Sequence, residues 1–287
     1  MISRRKLLGY LLGTGLGATF GAGLYTWRVE PHWVEIVHRV LAVRDLPPSL
    51  EGALLVQLSD LHVGPEVSDS YLRACFDRVR ELEPQFVAIT GDWVTYRGPW
   101  QLDQLRHVLS RIPLGEIATV GILGNHDYGA NWSQPEVAGE IADIVTSSGV
   151  TLLRNERFED RGLVFVGLDD LWGPGFDVEK ALSAHRPTTP AIALCHNPDA
   201  VDRPGWENFS GWILAGHTHG GQCKPPFLAP PLLPVVNKRY TRGEFSLNDG
   251  RSLYINRGLG HLLQVRFNVR PEITAFTLTS REPRPVA

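Results

Sequence analysis

Five times along this chain a short apolar run stops on a cluster of small and metal-coordinating residues. Leu54 to Leu58 leads into Ser59-Asp60-Leu61-His62, Phe86 to Thr90 into Gly91-Asp92, and Ala118 to Leu123 into Gly124-Asn125-His126-Asp127. Ala191 to Leu194 leads into Cys195-His196-Asn197, and Trp212 to Ala215 into Gly216-His217-Thr218-His219-Gly220-Gly221. Apolar runs this short, bounded by glycine and polar residues, predict buried strands. Helical stretches separate the first of them. Leu72, Cys75, Phe76, Val79 and Leu82 share one face of a helix started by Asp69, Leu102 to Ile112 reads as a second helix, and Pro135 to Ser148 as a third opened by proline. Strand and helix alternating in this way predict a parallel sheet, whose ligands lie at the carboxyl ends of its strands.

The second half is richer in strands. Leu152 to Arg157, Leu163 to Leu168, Ser252 to Ile255 and Glu272 to Thr279 join the two motif-bearing runs there, with one short helix near Val178 to Ala184. Val34 to Val43 is open between helix and strand, because its apolar spacing suits one and its β-branched content the other. No internal repeat or long linker divides the chain after residue 30, so residues 31–287 read as one domain.

The first thirty residues read as an address. Arg4, Arg5 and Lys6 precede Leu7 to Tyr25, which has no charge and six glycines, a poor core helix but a suitable weakly hydrophobic export segment. Ser3 to Leu8 resembles a twin-arginine signal, with Leu7 where Phe is common. The expectation is export by the twin-arginine machinery to the periplasm or cell surface, with the segment cleaved near Ala18 or Ala22 or kept as an anchor. The formal net charge of −3 excludes the broad basic surface of a nucleic-acid binder. Removing Arg4, Arg5 and Lys6 would take it to −6, so an anionic substrate needs a local cation to attract it. Cys75, Cys195 and Cys223 are too few and scattered for a thiolate site and read as buried, inert thiols.

Asp60 and His62, two apart at a strand end, can point to one side, as can His217 and His219. Each motif alone is weak; five in this order are not. The set Asp-x-His, Gly-Asp, Gly-Asn-His-Asp, His and Gly-His-x-His resembles the calcineurin-like metallophosphoesterase superfamily over Leu54 to Thr279. Within it, the chain resembles the exported bacterial YaeI-like and YkuE-like phosphodiesterase subgroup. The resemblance implies an α/β (α+β) fold, a four-layer αββα sandwich of two mixed sheets flanked by helices. It implies two divalent ions per chain, one held by Asp60, His62, Asp92 and His219, the other by Asp92, Asn125, His196 and His217. Nitrogen and oxygen ligands without thiolate suit Mn, Fe or Zn. The implied reaction is hydrolysis of a phosphoester by in-line attack of a hydroxide bridging the ions, with Asn125 and His126 contacting the phosphate and His126 protonating the leaving oxygen.

Other residues leave alternatives open. Asp127 could orient His126 or cap the turn after it. Asp169 and Asp170 could support a metal-bound histidine or simply form a turn, and Arg257 could contact substrate phosphate or be solvated. The stretch Lys224 to Pro234 interleaves Phe227, Leu228, Leu232 and Leu233 with prolines and could form an apolar lip beside the Gly-His-Thr-His loop, suited to a lipid-linked phosphate or to membrane contact. Two alternatives to a phosphodiesterase follow: a pyrophosphatase acting on a nucleotide-linked lipid such as UDP-diacylglucosamine, or a non-catalytic metal-binding scaffold at the membrane. A serine hydrolase is excluded by the lack of a Gly-x-Ser-x-Gly elbow.

Overall fold

The computed structural model describes residues 19–280. The twin-arginine reading of Ser3 to Leu8, and Ala18, lie outside the described residues. The first six strands are β1 (Glu35–Ala42), β2 (Leu54–Leu58), β3 (Phe86–Thr90), β4 (Ala118–Ile122), β5 (Thr151–Leu152) and β6 (Glu156–Asp160). The next six are β7 (Leu163–Gly167), β8 (Ala191–Leu194), β9 (Gly211–Ala215), β10 (Gly243–Ser246), β11 (Arg251–Ile255) and β12 (Glu272–Thr279). The helices are α1 (Asp69–Arg80), α2 (Trp100–Leu109), α3 (Pro135–Ser147) and the short α4 (Val178–Leu182). One sheet has the order β1-β12-β2-β3-β4-β5 and the other β10-β11-β9-β8-β7-β6. Both are mixed: β2, β3, β4 and β5 run parallel, as do β7, β8, β9 and β11, while β12 against β2, β6 against β7 and β10 against β11 are antiparallel.

The two-residue periodicity of the strands makes the layers. Leu55, Phe86, Ala88 and Ile122 of one sheet meet Phe165, Ile192, Leu194 and Leu214 of the other in a buried central core. Their alternates Val56, Leu58, Val87 and Ile89 turn outward under Leu72, Phe76, Leu105 and Ile141 of α1, α2 and α3. On the far side Ala191 and Ala193 pack under Ala181, Trp206 and Phe209. The result is helix, sheet, sheet and helix, with the motif-bearing strands β2, β3, β4, β8 and β9 buried on both faces, which is why those runs read as continuously apolar rather than alternating.

One open reading is settled and two details depart from the sequence expectation. Within Val34 to Val43 the eight residues Glu35–Ala42 form a strand, paired in parallel with β12. Leu152 to Arg157 is two strands, not one: Leu152 ends one sheet's edge and Glu156 starts the other's, with Asn155 at φ +54° turning the chain between them. The cap of α1 is Ser68, whose hydroxyl accepts from the Tyr71 amide, while Asp69 lies in the first turn. Because β2, β3 and β4 are parallel neighbours, and β8 and β9 likewise, all five motifs emerge at the carboxyl edge of their sheets. The Gln57 amide holds the two edges together by donating to the Thr90 hydroxyl at 3.1 Å and the Ala215 carbonyl at 2.9 Å.

Candidate metal centre

Where the strands end, the backbone bends sharply. Asp60, His62, Asp92, His217 and His219 all have positive φ, between +49° and +69°. A left-handed residue other than glycine costs on the order of 1 kcal/mol, least for Asn, Asp and His, and such strain persists only where the surroundings impose it. Here they do: the Asp60 amide donates to the Gly91 carbonyl at 3.0 Å, that of His62 to Asp92 at 2.9 Å, and that of Gly216 to His196 at 3.0 Å. Both Asp60 carboxylate oxygens accept from the His217 amide at 3.1 Å. Gly216 cannot be larger, since a Cβ there would lie 1.9 Å from the Ser59 hydroxyl and 2.5 Å from the Asp60 carboxylate.

These bends gather two buried groups. Asp60, His62 and His219 form one, and Asp92, His196 and His217 the other, with donor atoms in each within 4.8 Å of one another. The His219 Nε2 is 3.0 Å from His62 Nε2 and 3.2 Å from Asp60 Oδ1. His196 Nε2 is 3.2 Å from His217 Nδ1 and 3.0 Å from Asp92 Oδ2, which also lies 3.6 Å from His62 Nε2. Asp92 thus stands between the groups. The outer ring nitrogens are engaged elsewhere: His62 Nδ1 with the Thr95 hydroxyl at 2.9 Å, His196 Nδ1 with the Thr90 carbonyl at 2.7 Å, His217 Nε2 with the Pro234 carbonyl at 2.8 Å. Donation to those oxygens leaves the lone pair of the other nitrogen facing inward.

Electrostatics agree with a cation site. Burial would raise the Asp60 carboxyl, but His219 and His196 hold it well below the usual range, and His196, His126 and His62 do the same for Asp92. Burial lowers His62 well below an ordinary imidazole and His217 to about 3, so both are neutral. His196 is raised despite burial because the Asp92 carboxylate adjoins it; a cation there displaces that proton. Asn125 supplies the sharpest test of fit: it is fully buried, and both atoms of its side-chain amide lack a hydrogen-bond partner. An orphaned buried amide costs roughly 1–3 kcal/mol. Two divalent ions fit this cluster, with two carboxylates, four imidazoles and one unpartnered amide to hold them.

The remaining candidates separate. The His126 amide donates to Asp92 Oδ1 at 2.9 Å and its ring meets His62 edge-on, centroids 5.1 Å apart, while facing a cleft of about 600 Å³. Asp127 caps the turn: its oxygens accept from the Gly124 amide at 2.8 Å and the Val94 amide at 3.1 Å, not from the His126 ring. Asp169 pairs with Arg154 at 3.3 Å and with the Tyr128 hydroxyl, and Asp170 accepts from the Trp172 amide at 2.8 Å, so neither bonds a histidine of the cluster. Burial pushes the Asp170 carboxyl up to about 6. Arg257 is neither solvated nor turned to the cleft; Glu272 and Glu35, the latter at 2.9 Å, hold it. Cys75 and Cys195 are buried, whereas Cys223 is half-buried and lines the cleft, correcting the expectation for that thiol.

Sequence reading missed the cleft's aromatic wall. Trp132 and Trp172 stack with centroids 4.6 Å apart, and Trp172 meets His217 edge-on at 4.5 Å. They lie far apart in the chain, and no local signal pairs them. It also missed Arg266, fully buried within an apolar stretch, whose guanidinium donates to the carbonyls of Arg257, Gly258 and Gly260 behind His219. The Pro-rich stretch forms a lip in its second half only: Pro231, Leu232, Leu233 and Pro234 line the cleft with Leu262, Leu263 and Val265, whereas Phe227 and Leu228 do not line it.

Comparison with known proteins agrees with this geometry. Residues 54–221 match the calcineurin-like phosphoesterase family. The chain is 32% identical to phosphodiesterase YaeI of Escherichia coli K12, over 97% of this chain and 100% of that one. It is also 32% identical to the uncharacterized metallophosphoesterase YkuE of Bacillus subtilis 168, over 97% and 98%. UDP-2,3-diacylglucosamine pyrophosphatase LpxG of Chlamydia trachomatis is 30% identical, over 90% and 94%. Two sheets meeting at a doubled histidine–aspartate cluster, together with these matches, identify the chain as a member of the calcineurin-like metallophosphoesterases, a metal-dependent hydrolase of phosphoesters with a two-metal centre.

Proposed function

We propose that the chain is a phosphodiesterase whose two ions are held by Asp60, His62, Asp92 and His219 on one side and by Asp92, Asn125, His196 and His217 on the other. The observation that carries the diester reading is the cleft lining: histidines, Asn125, two tryptophans and apolar loops, with no Lys or Arg. A monoester dianion calls for further cationic side chains, whereas a diester carries one charge and two organic arms that apolar walls can hold. When bound, Mn, Fe or Zn supplies Lewis acidity, neutralising phosphate charge and acidifying water. The residues do the rest. Asp92 holds the His126 amide through Oδ1, which fixes the imidazole at the cleft, where it donates a proton to the leaving alkoxide. Trp132, Trp172 and Leu233 line the same cleft as His126 and offer an apolar wall to the organic arm of the ester.

A pyrophosphatase acting on a nucleotide-linked lipid is the second reading, supported by the same apolar wall and by the likeness to LpxG. The N-terminal pattern supports export by the twin-arginine route to the periplasm or cell surface, with residues 7–25 as an anchor if uncleaved. Finding the full chain in the cytoplasmic fraction would remove that part of the proposal.

The test is hydrolysis of bis(p-nitrophenyl) phosphate and p-nitrophenyl phosphate by metal-analysed protein. Two metals per chain, faster diester than monoester cleavage, and a loss of roughly 100- to 1,000-fold in Asp92→Asn are expected. Preference for the monoester would overturn the diester reading.

A further inference from the structure

Three segments distant in sequence meet around the mouth of the cleft. The Arg266 amide donates to the Thr26 carbonyl at 3.0 Å and the Gln264 side chain to the Trp27 carbonyl at 3.2 Å, joining residues 19–29 to the 262–267 loop. Gln222 donates to the carbonyls of Leu263 at 3.2 Å and Val265 at 3.0 Å, and the Lys224 amide to Phe267 at 2.9 Å, joining that loop to the Pro-rich lip. Each segment exposes large apolar side chains. Phe20 is 76% exposed, Leu263 70%, Leu232 80%, Val236 84% and Phe227 fully. A protein that buries Trp93 and Phe76 completely leaves these in water, which marks an interaction surface rather than scattered single residues.

The charge on the same segments is one-sided. Residues 19–29, 222–242 and 258–271 contain no Asp or Glu, yet carry Arg28, Lys224, Lys238, Arg239, Arg242 and Arg270 besides the buried Arg266. In a chain of net charge −3 the segments that carry the apolar patch are thus locally basic. Apolar tips ringed by Lys and Arg, with Trp27 among them, match the interface of an anionic bilayer, where acyl chains take the tips and headgroups the cations. A second copy of the chain fits poorly, since a two-fold contact sets like charges against like. Just after the uncharged run, the carbonyls of Thr26 and Trp27 are bonded by Arg266 and Gln264 of this face. Among the described residues no helix is long and apolar enough to cross a membrane.

We infer that this face docks on an anionic membrane, and that the cleft mouth, walled by Leu232, Leu233, Leu262 and Leu263, receives an amphiphilic phosphoester directly from the bilayer. The acyl portion leaves lipid for the apolar wall without crossing water while the phosphate reaches the histidine–aspartate cluster. This rests on the two-metal phosphoesterase reading for the chemistry, but not for the docking.

The test uses the full chain and the variant Phe227→Glu with Leu228→Glu, residues outside the cluster and the cleft. Flotation is measured with vesicles of phosphatidylcholine alone and with phosphatidylglycerol added. Hydrolysis is measured on a dialkyl phosphodiester carried in those vesicles and on bis(p-nitrophenyl) phosphate in solution. The wild type is expected to bind the phosphatidylglycerol vesicles preferentially. The variant is expected to lose about tenfold in binding and in vesicle-borne turnover, with soluble turnover unchanged as proof that it folds. Amide exchange across residues 225–236 and 261–265 slows on addition of the anionic vesicles. Equal binding of variant and wild type, with exchange in both loops unaltered, would overturn the docking and leave the N-terminal segment as sole anchor. A vesicle-free dimer that Phe227→Glu with Leu228→Glu converts to monomer would assign the face to a second copy and overturn it too. If neither diester is cleaved while the vesicles slow exchange, the chemistry fails and the docking stands.

Discussion

On the floor of the cleft Asp60, His62, Asp92, His217 and His219 sit in left-handed backbone and are at most 6% exposed; on its rim Leu232 and Leu263 are at least 70% exposed on loops. The floor stores strain because two sheets close on it and hydrogen bonds from neighbouring strand ends over-determine every bend. The rim has no sheet behind it and is held chiefly by hydrogen bonds to loop carbonyls, such as the Lys224 amide to Phe267 and the Gln222 side chain to Leu263. Precision is thus concentrated where charge must be placed to a fraction of an ångström, and adaptability where an apolar ligand varies in shape.

His126 straddles the two, and substituting it by Gln gives the sharpest test of their division of labour. Its backbone is locked to Asp92 and its ring faces the cleft. Turnover is expected to fall roughly 100- to 10,000-fold for esters with poor alkoxide leaving groups and much less for p-nitrophenyl esters, with metal content unchanged. Steady-state rates on the two ester types check this; equal losses would mean that His126 only binds.

The rim rests on His261, which is buried beneath Leu262 and Leu263 and donates to the Glu66 carbonyl at 2.9 Å. Burial lowers its imidazole to about 4, from an ordinary value of 6.5. The folded pKa is depressed, so the stability it confers is present above pH 6.5 and is lost as pH falls from 6.5 toward 4, by roughly 3 kcal/mol in all. His261→Gln keeps a donor and cannot titrate, so urea unfolding at pH 5 and pH 7.5 should show a flatter dependence than wild type. Parallel profiles would show that acid does not loosen the rim through this residue.

Gly216→Ala attacks the floor alone. The added methyl meets Ser59 and Asp60, and a cost of about 1–3 kcal/mol is expected together with weakened metal retention. Thermal unfolding and dialysis against a chelator measure the two; a stable variant that holds metal normally would show that the floor is softer than its hydrogen bonds imply.

The strands were legible as short continuous apolar runs bounded by glycine and polar residues, and the helices by their period near 3.6. The seven residues proposed as ligands were legible because Asp, Asn and His recur at strand ends, and the capacity of a side chain to coordinate is set by its residue type. The run at Leu152 misled because an edge passing from one sheet to another leaves no change of pattern beyond Asn155. Asp169 and Arg257 were ambiguous because a charged residue after a strand reads alike whether it faces a ligand or an ion-pair partner. Their partners, Arg154 and Tyr128 for one and Glu35 and Glu272 for the other, come from elsewhere in the fold.

By itself, then, the order of residues determined which side chains could coordinate and where the sheets would end, since both are properties of short stretches. Only the tertiary structure decided that Asp92 lies between two histidine groups, that Trp132 stacks on Trp172, and that Thr26 and Trp27 bond the loop whose Leu263 and Val265 line the cleft with the Pro-rich lip. Those juxtapositions arise from long-range packing of two sheets, and no segment shorter than the whole domain contains the forces that choose them.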